Sequence, residues 1–191
     1  MIFTPLQIEG AWLVEVQRHD DARGFFGRTW CAQEFAEHGI ACAMAQSSVS
    51  WNALAGTLRG LHFSRPPSTE GKLVRCTRGR IHDVILDLRL DSTSFGQHIA
   101  IGLDQDQRNA LYVPPGAAHG FQTLTDDCEV DYMMTEAHRP EFAGGVRYDD
   151  PGFGIDWPMP VTRISDRDRG FPDFDRESHQ HLCTEARPLS L

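Results

Sequence analysis

The sequence predicts an all-β protein, a sandwich or small barrel built from short strands. Short apolar runs follow one another along the 191 residues, separated by turn-forming residues that include 17 Gly and 11 Pro. This spacing is typical of strands joined by tight turns. Only Cys31–Gly39 has the pattern of an amphipathic helix, with Phe35 on its apolar face and Gly39 as its stop. A chain of this length fits one domain with a substantial core.

The predicted strands follow the apolar runs in chain order. The opening run, Leu6–Val16, contains one or two strands, and Ile81–Leu88 has apolar residues on both faces, as a strand inside a sandwich would. From about residue 165 the chain is charged, and we expect an irregular tail of the single domain 1–191. Further strands are predicted at Met44–Val49, Thr57–Phe63, Lys72–Cys76, Phe95–Leu103, Ala110–Val113, Phe121–Leu124 and Glu129–Thr135.

Composition excludes several classes of partner. The formal net charge of −9 argues against non-specific binding to nucleic acid or to an anionic membrane surface. No apolar run approaches the ~20 residues of a membrane span, and the N-terminus lacks a signal-peptide pattern. We therefore expect a cytoplasmic protein. The cysteines are odd in number and scattered along the chain, which is typical of reduced thiols in that compartment. They are Cys31, Cys42, Cys76, Cys128 and Cys183.

Two short apolar strands near the middle of the chain carry three basic side chains. Arg59 and His62 lie in the first strand, and Lys72 begins the second. Basic groups in apolar strands are costly to bury unless a negative group meets them, so we interpret the three as a functional site. Residues three apart in a regular strand point to opposite faces. For Arg59 and His62 to share a cavity, we expect a bulge at Gly60.

Five motifs indicate one enzyme family, because they occur here in the order found in that family. The motifs are Asp21–Phe26, Arg59–Phe63, Asp83–Arg89, Val113–Phe121 and Gly154–Pro158. Together they resemble dTDP-4-dehydrorhamnose 3,5-epimerases over nearly the whole chain. The resemblance implies an isomerase with a cupin-type β jelly roll, usually a homodimer. Such an enzyme acts on a nucleotide-linked 4-keto-6-deoxyhexose without a metal or organic cofactor.

The resemblance also implies catalytic roles. A ketone at sugar carbon 4 acidifies the protons on carbons 3 and 5. Epimerisation then needs a base on one face of the ring, an acid on the other and a group that stabilises the enolate oxygen. His62 matches the family's base, Tyr132 its acid and Lys72 its cation. Asp168 matches the carboxylate that orients the base, with Asp83 as the alternative.

Further residues match positions that hold the substrate in the family. Arg59 and Arg23 match contacts to the diphosphate, whose oxygens suit the guanidinium fork, and Arg167 falls where the family often has a basic residue. The remaining predicted substrate-binding residues are Phe26, Gln46, Ser48, His119 and His138.

Four positions depart from the family pattern. Arg28 stands where Glu is common, and Ser48 replaces the Asn of a Gln-x-Asn pair. His138 replaces the Tyr that usually stacks on thymine, and Ala143 replaces a nearby Glu. All four bear on substrate holding rather than on the acid–base set. The sequence therefore predicts retained epimerisation chemistry and leaves the nucleotide and the sugar open.

Three other functions compete with this interpretation. The first is a single-carbon epimerase or a 3,4-ketoisomerase with the same fold and nucleotide pocket. The second is a metal-dependent cupin, since Pro114-x-Gly116-x-x-His119 resembles the second cupin motif, although the paired histidines and glutamate of the first motif are missing around His62. The third is a non-catalytic sugar-binding module, in which His62, Lys72 and Tyr132 would be unneeded.

Overall fold

Two antiparallel sheets make up most of the protein, for which a computed structural model describes residues 1–40 and 43–185. Three α-helices and one 3-10 turn (Pro140–Phe142) accompany them in the described residues. The helices are α1 (Ala32–Glu37), α2 (Asp166–Arg169) and α3 (Arg176–Glu185). The strands are β1 (Ile2–Pro5), β2 (Trp12–Glu15), β3 (His19–Asp21), β4 (Gly24–Phe26), β5 (Gln46–Asn52), β6 (Leu58–Ser64), β7 (Lys72–Arg78), β8 (Arg80–Leu86), β9 (His98–Asp104), β10 (Ala110–Val113), β11 (Ala118–Thr123), β12 (Cys128–Met134) and β13 (Ala143–Gly145).

The strand order is that of a jelly roll. One sheet has six strands in the order β1-β2-β10-β7-β12-β5, and the other has five in the order β13-β6-β11-β8-β9. Strands β3 and β4 form a separate hairpin. Strands that are adjacent in a sheet are mostly distant in the chain, because the chain crosses repeatedly between the sheets. The predicted all-β class and jelly-roll architecture are confirmed.

The main core lies between the two sheets. Side chains of β8 show how the sequence builds it, since Ile81 and Ile85 belong to this inner cluster while Val84 and Leu86 face outward into a second one. The apolar residues on both faces of this strand therefore reflect burial on both sides, as predicted. Complete burial of one such side chain contributes about 1.5–3 kcal/mol.

Each sheet is also covered on part of its outer face. The five-stranded sheet packs against the segment after β13, which contributes Val146 and Trp157 among others. The six-stranded sheet packs against α1 through Phe35, which lies with Val14 and Tyr112 in a third cluster. Among the described residues, none of the helices combines the length and the apolarity that crossing a bilayer requires.

Most predicted strands are present with shifted ends. Ala110–Val113 coincides with β10, but β1 precedes the predicted opening run Leu6–Val16 and only β2 lies within it. Helix α1 is shorter than the predicted helix and ends before Gly39, which has a φ of +72°.

The described cysteines, Cys31, Cys76, Cys128 and Cys183, form no disulfide, and Cys42 lies outside the described residues.

The expectation of an irregular tail after residue 165 is wrong, because α2 and α3 lie in this segment. The side chain of Ser165 accepts a hydrogen bond from the Asp168 N–H at 3.0 Å and so caps the N-terminus of α2. In α3, the buried imidazole of His179 donates from Nε2 to the carbonyl of Leu88 at 2.8 Å. Tertiary contacts with β6 and with the turn after β8 therefore order a segment whose composition is highly polar.

Candidate active site

A bulge in β6 brings Arg59 and His62 to the same cavity. His62 is opposite His119 of β11, whereas Arg59 is opposite a residue only two positions further along that strand. The extra residue is Gly60, whose φ is +111°. A Cβ at Gly60 would lie 2.7 Å from both the Gly120 Cα and the His119 carbonyl oxygen. Only glycine fits this close approach between the two strands, and the bulge expected from the sequence is present.

The imidazole of His62 is bonded to a buried carboxylate. Its Nε2 lies 2.7 Å from Asp168 Oδ1, and the Gly60 N–H donates to Asp168 Oδ2 at 3.1 Å. Because an ionised carboxylate only accepts, Nε2 carries the proton and Nδ1 keeps the lone pair. Burial raises the pKa of Asp168, but the hydrogen bonds from His62 and Gly60 outweigh it, so that the pKa lies below its usual value. Asp168 therefore stays ionised beside the imidazole.

A second histidine–aspartate pair lies next to the first, because His119 of β11 is opposite His62 of β6. The Nε2 of His119 donates to Asp83 Oδ1 at 2.6 Å, and both side chains are buried. Asp83 thus pairs with His119, and the alternative assignment of Asp83 to His62 is wrong because the His62 Nε2 is bonded to Asp168 instead. The other carboxylate oxygen of Asp83 is buried without a hydrogen-bond partner among the described residues.

Tyr132 approaches from the opposite sheet. It lies on β12, with its ring 6.1 Å from that of His119 in an edge-on arrangement. The hydroxyl makes no hydrogen bond to the described part of the chain. Burial, reinforced by the Asp83 carboxylate, raises the pKa of Tyr132, and Arg59 offsets this only in part. The phenol therefore keeps its proton throughout the neutral and moderately alkaline range.

Lys72 is paired with a carboxylate that was not among the predicted site residues. Its Nζ lies 3.4 Å from Glu70 Oε1, and both side chains are largely buried. Glu70 also accepts a hydrogen bond from Ser64 Oγ at 3.2 Å. Lys72 is the only lysine in the sequence, and Glu70 precedes it by two residues. This spacing could have suggested the ion pair from the sequence.

These side chains meet in a cavity of about 180 Å³. A neighbouring cavity of about 370 Å³ shares Arg59 and His62 with it and contains Arg167 and Asp168. A larger cavity of about 520 Å³ lies beside α3 and includes none of the predicted site residues. The smaller cavity is lined by Arg59, His62, Glu70, Lys72, His119, Tyr132, Met134 and His138.

Three predicted substrate-binding residues lie in the wall of the small cavity or on the strand that pairs with the strand of Tyr132. Gln46 and Ser48 are on the edge strand β5, with Ser48 opposite Tyr132. The side-chain oxygen of Gln46 accepts the His138 N–H at 2.8 Å, and His138 itself lines the cavity. Strand pairing and this hydrogen bond therefore hold the three residues close to the predicted acid.

The structure does not bring the remaining predicted residues to the cavity of their own chain. Arg23 and Phe26 lie on the β3–β4 hairpin, where the Arg23 side chain is 89% exposed and Phe26 is 78% exposed.

Two of the positions that depart from the family pattern also lie outside the small cavity. Arg28 forms an ion pair with Glu34 of α1, and Ala143 lies on β13 opposite β6.

The cavity offers acid–base and hydrogen-bonding groups rather than a recognisable metal-ligand set. In the part of the chain that the structure describes, no group of three His, Cys, Asp or Glu side chains could hold a metal ion. The histidine of the motif that resembles a cupin metal motif, His119, directs its Nε2 to Asp83 instead.

Comparison with known proteins places the chain in one family. A family model described as dTDP-4-dehydrorhamnose 3,5-epimerase matches residues 5–176. The chain belongs to the dTDP-4-dehydrorhamnose 3,5-epimerase family. Membership confirms the recognition made from the motifs and the prediction of an enzyme of the isomerase class, a carbohydrate epimerase.

Individual members of the epimerase family are similar over nearly their whole length. The chain is 39% identical over 183 residues to the dTDP-4-dehydrorhamnose 3,5-epimerase of Methanothermobacter thermautotrophicus, covering 94% of this chain and 97% of that protein. The crystal structure of the Bacillus anthracis enzyme, with TDP and PPi bound, is 36% identical with a TM-score of 0.86, covering 91% and 99%. The structure of ChmJ, a 3'-monoepimerase from Streptomyces bikiniensis in complex with dTDP-quinovose, is 32% identical with a TM-score of 0.83, covering 93% and 89%.

Proposed function

We propose that this protein epimerises a dTDP-linked 4-keto-6-deoxyhexose by removing and returning a proton next to the 4-keto group. The observation that carries the proposal is that one small cavity gathers an imidazole from one sheet with a phenol and an ammonium from the other: His62, Tyr132 and Lys72. The relatives' names and bound dTDP ligands support the substrate class. The substrate's own ketone delocalises the charge, so the scheme uses no metal or organic cofactor.

In this scheme His62 is the base. Its Nδ1 has the lone pair, because Nε2 is hydrogen-bonded to Asp168. Proton transfer from the sugar carbon to Nδ1 produces an imidazolium, which the ionised Asp168 stabilises and orients. Asp168 therefore acts through His62 and does not itself take up the proton.

Lys72 and Tyr132 complete the reaction. Loss of the proton moves negative charge to the oxygen on carbon 4, where the compact Lys72 ammonium stabilises it. Tyr132 then donates its proton to the opposite face of the carbon and inverts the centre. The phenol carries its proton at neutral pH, as a proton donor must, and burial raises the pKa of Tyr132 further. Proton exchange with water restores both side chains for the next turnover.

Arginines supply the positive charge for the diphosphate. Arg59 is held by the buried Asn52, whose side-chain oxygen accepts from Arg59 Nε at 2.7 Å. Arg167 lies in the neighbouring cavity that shares Arg59. We propose that the diphosphate spans these two guanidinium groups. Within the smaller cavity, we assign His119 to hydrogen bonding with the sugar.

The nucleoside lies, in this proposal, next to the edge strand β5. Gln46 and Ser48 supply an amide and a hydroxyl for the base, and His138 replaces the stacking tyrosine of the family. An imidazole can still stack on a thymine ring. The departures at Ser48 and His138 are therefore compatible with a thymidine nucleotide.

We further propose a homodimer in which the β3–β4 hairpin of one copy contributes Arg23 and Phe26 to the cavity of the other. The large exposure of both side chains supports this arrangement. Exposed apolar side chains on β5, Val49 and Trp51, add surface that a second copy would cover.

A cytoplasmic location is also proposed, supported by the absence of disulfides among the described cysteines.

A single-carbon epimerase is the second candidate. The similarity to a 3'-monoepimerase with a dTDP-sugar bound favours it, because that structure covers 93% of this chain. The two candidates share base, acid and cation. They differ only in whether carbon 5 is exposed to the base as well as carbon 3.

Incubation with dTDP-4-keto-6-deoxyglucose in deuterated water tests the proposal. We expect deuterium at carbons 3 and 5 by NMR, with inverted product, and loss of this exchange in His62→Asn. Exchange and inversion at carbon 3 alone would identify a single-carbon epimerase. Undiminished exchange in His62→Asn would refute the assignment of the base, and absence of any exchange with the unaltered protein would refute the proposed function.

A further inference from the structure

The Glu70–Lys72 ion pair lies in the wall of the candidate active site. The Lys72 side chain is 17% exposed and that of Glu70 is 7% exposed, with 3.4 Å between Nζ and Oε1. Burial of an ammonium costs free energy unless a negative group accompanies it. The carboxylate of Glu70 therefore offsets the cost of burying the Lys72 ammonium at this position.

Glu70 is itself held in place by the surrounding structure. Ser64 of β6 donates to the same oxygen that faces Lys72. The loop that carries Glu70 is tied down on both sides, because Glu136 accepts the Thr69 N–H at 3.0 Å and Thr135 Oγ1 accepts the Gly71 N–H at 2.8 Å. The carboxylate consequently has a fixed position relative to the cavity.

The composition of the chain makes Lys72 distinctive. Among the 18 Lys and Arg residues, Lys72 is the only lysine. A guanidinium is broad and planar, whereas an ammonium is a compact point charge that suits one developing oxyanion in a small space. Glu70 is the only carboxylate among the residues that line the 180 Å³ cavity. The one lysine and the one cavity-lining carboxylate are therefore paired.

We propose that Glu70 is a positioning residue that holds the Lys72 ammonium where the carbonyl oxygen of the substrate becomes anionic. The inference rests on the proposed function, because Lys72 stabilises an enolate only if the protein is an epimerase. Glu70 acts through Lys72 and through the ordered loop, and its side chain does not take part in proton transfer.

The single lysine provides a direct measurement of this positioning. In protein labelled with ¹⁵N-lysine, the only lysine signal belongs to Lys72, and it can be recorded with no substrate present. Glu70→Gln removes the charge and keeps the shape of the side chain. Glu136→Gln is the matched control, because it removes the charge of a carboxylate that does not line the cavity, while the amide oxygen of the glutamine can still accept the Thr69 N–H that holds the loop.

We expect Glu70→Gln to shift or broaden the Lys72 ammonium signal and to lower kcat about tenfold, a smaller loss than the ~10²–10³-fold expected for removal of the stabilising group itself. Affinity for dTDP should stay within about twofold, since the nucleotide contacts are elsewhere. Glu136→Gln should leave the signal and kcat close to those of the unaltered protein.

Three results would overturn the inference: an unchanged Lys72 signal in Glu70→Gln, an unchanged kcat in that variant, or equal losses in Glu136→Gln. If the unaltered protein had no epimerase activity, the proposed function would fail. The Lys72 signal would still decide whether Glu70 holds the ammonium.

Discussion

The Nε2 atom of His62 and the Oδ1 atom of Asp168 lie 2.7 Å apart, although the two residues are separated by 106 positions in the chain. The strand β6 supplies the imidazole, and the one-turn helix α2 supplies the carboxylate. The Gly60 N–H donates to the other oxygen of the same carboxylate. The bulge that directs His62 into the cavity is therefore also part of the site that holds Asp168.

Asp168→Asn should lower kcat about 10³-fold with little change in dTDP affinity, because an amide cannot stabilise the imidazolium and permits the wrong tautomer of His62. Steady-state kinetics and dTDP titration measure the two quantities. Asp166→Asn changes an exposed acid on the same helix and should behave like the unaltered protein. Equal losses in the two variants would indicate a general disturbance of α2.

Tyr132→Phe should separate proton removal from inversion. Without the phenol, His62 still removes a proton and returns one on the same face, so deuterium exchange continues while inversion falls at least about 100-fold. NMR of the sugar in deuterated water records both processes in one sample. Inversion at the unaltered rate would show that another group donates the proton.

Gly60→Ala should destabilise the protein by about 3 kcal/mol, because the new Cβ combines a strained backbone conformation with contact against β11. Gly24 is a matched control, since its φ of +126° is similar and a Cβ there meets no atom within 4 Å. Gly24→Ala should therefore cost only about 1 kcal/mol. Urea unfolding measures both changes, and equal costs would contradict the role of the close approach.

Asp87 should make stability depend on pH below pH 4. Burial raises its pKa, but hydrogen bonds from Arg89, Ser92 and Ser94 outweigh this and lower it to about 2. A depressed pKa contributes stability above the unfolded-state value, and this contribution is lost as the pH falls through the folded-state value. Asp87→Asn should thus be about 2 kcal/mol less stable at pH 6, with the difference shrinking between about pH 4 and pH 2. Urea unfolding across this range tests the prediction, with exposed Asp106→Asn as the control.

Mixed dimers test whether the hairpin acts between copies. His62→Asn and Arg23→Ala should each lose most activity alone. Co-expressed with different tags, they should recover about one quarter of the normal activity, since half of the dimers are mixed and each of these has one intact site. No recovery in isolated mixed dimers would place Arg23 and His62 of the same chain in one site.

Local sequence patterns determined the all-β fold class, and the family resemblance supplied the candidate catalytic groups. Apolar runs separated by Gly and Pro predicted the strands, because period and turn chemistry are local properties, and Ala110–Val113 was predicted with its observed ends. The resemblance carried by the motifs supplied His62, Lys72, Tyr132 and Asp168. The polar segment after residue 165 was misjudged, since its helices are ordered by contacts with distant strands.

Tertiary structure alone decided which groups are partners. The resemblance favoured Asp168 as the partner of His62 but left Asp83 as an alternative, because the choice between them depends on the packing of α2 against β6. The Glu70–Lys72 pair is seen only when both side chains are placed in one cavity wall. The position of Arg23 and Phe26, away from that cavity, follows only from the path of the hairpin. Periodicity records which face of a strand a residue occupies, whereas hydrogen bonds and ion pairs form only where the fold brings separate elements within a few ångströms.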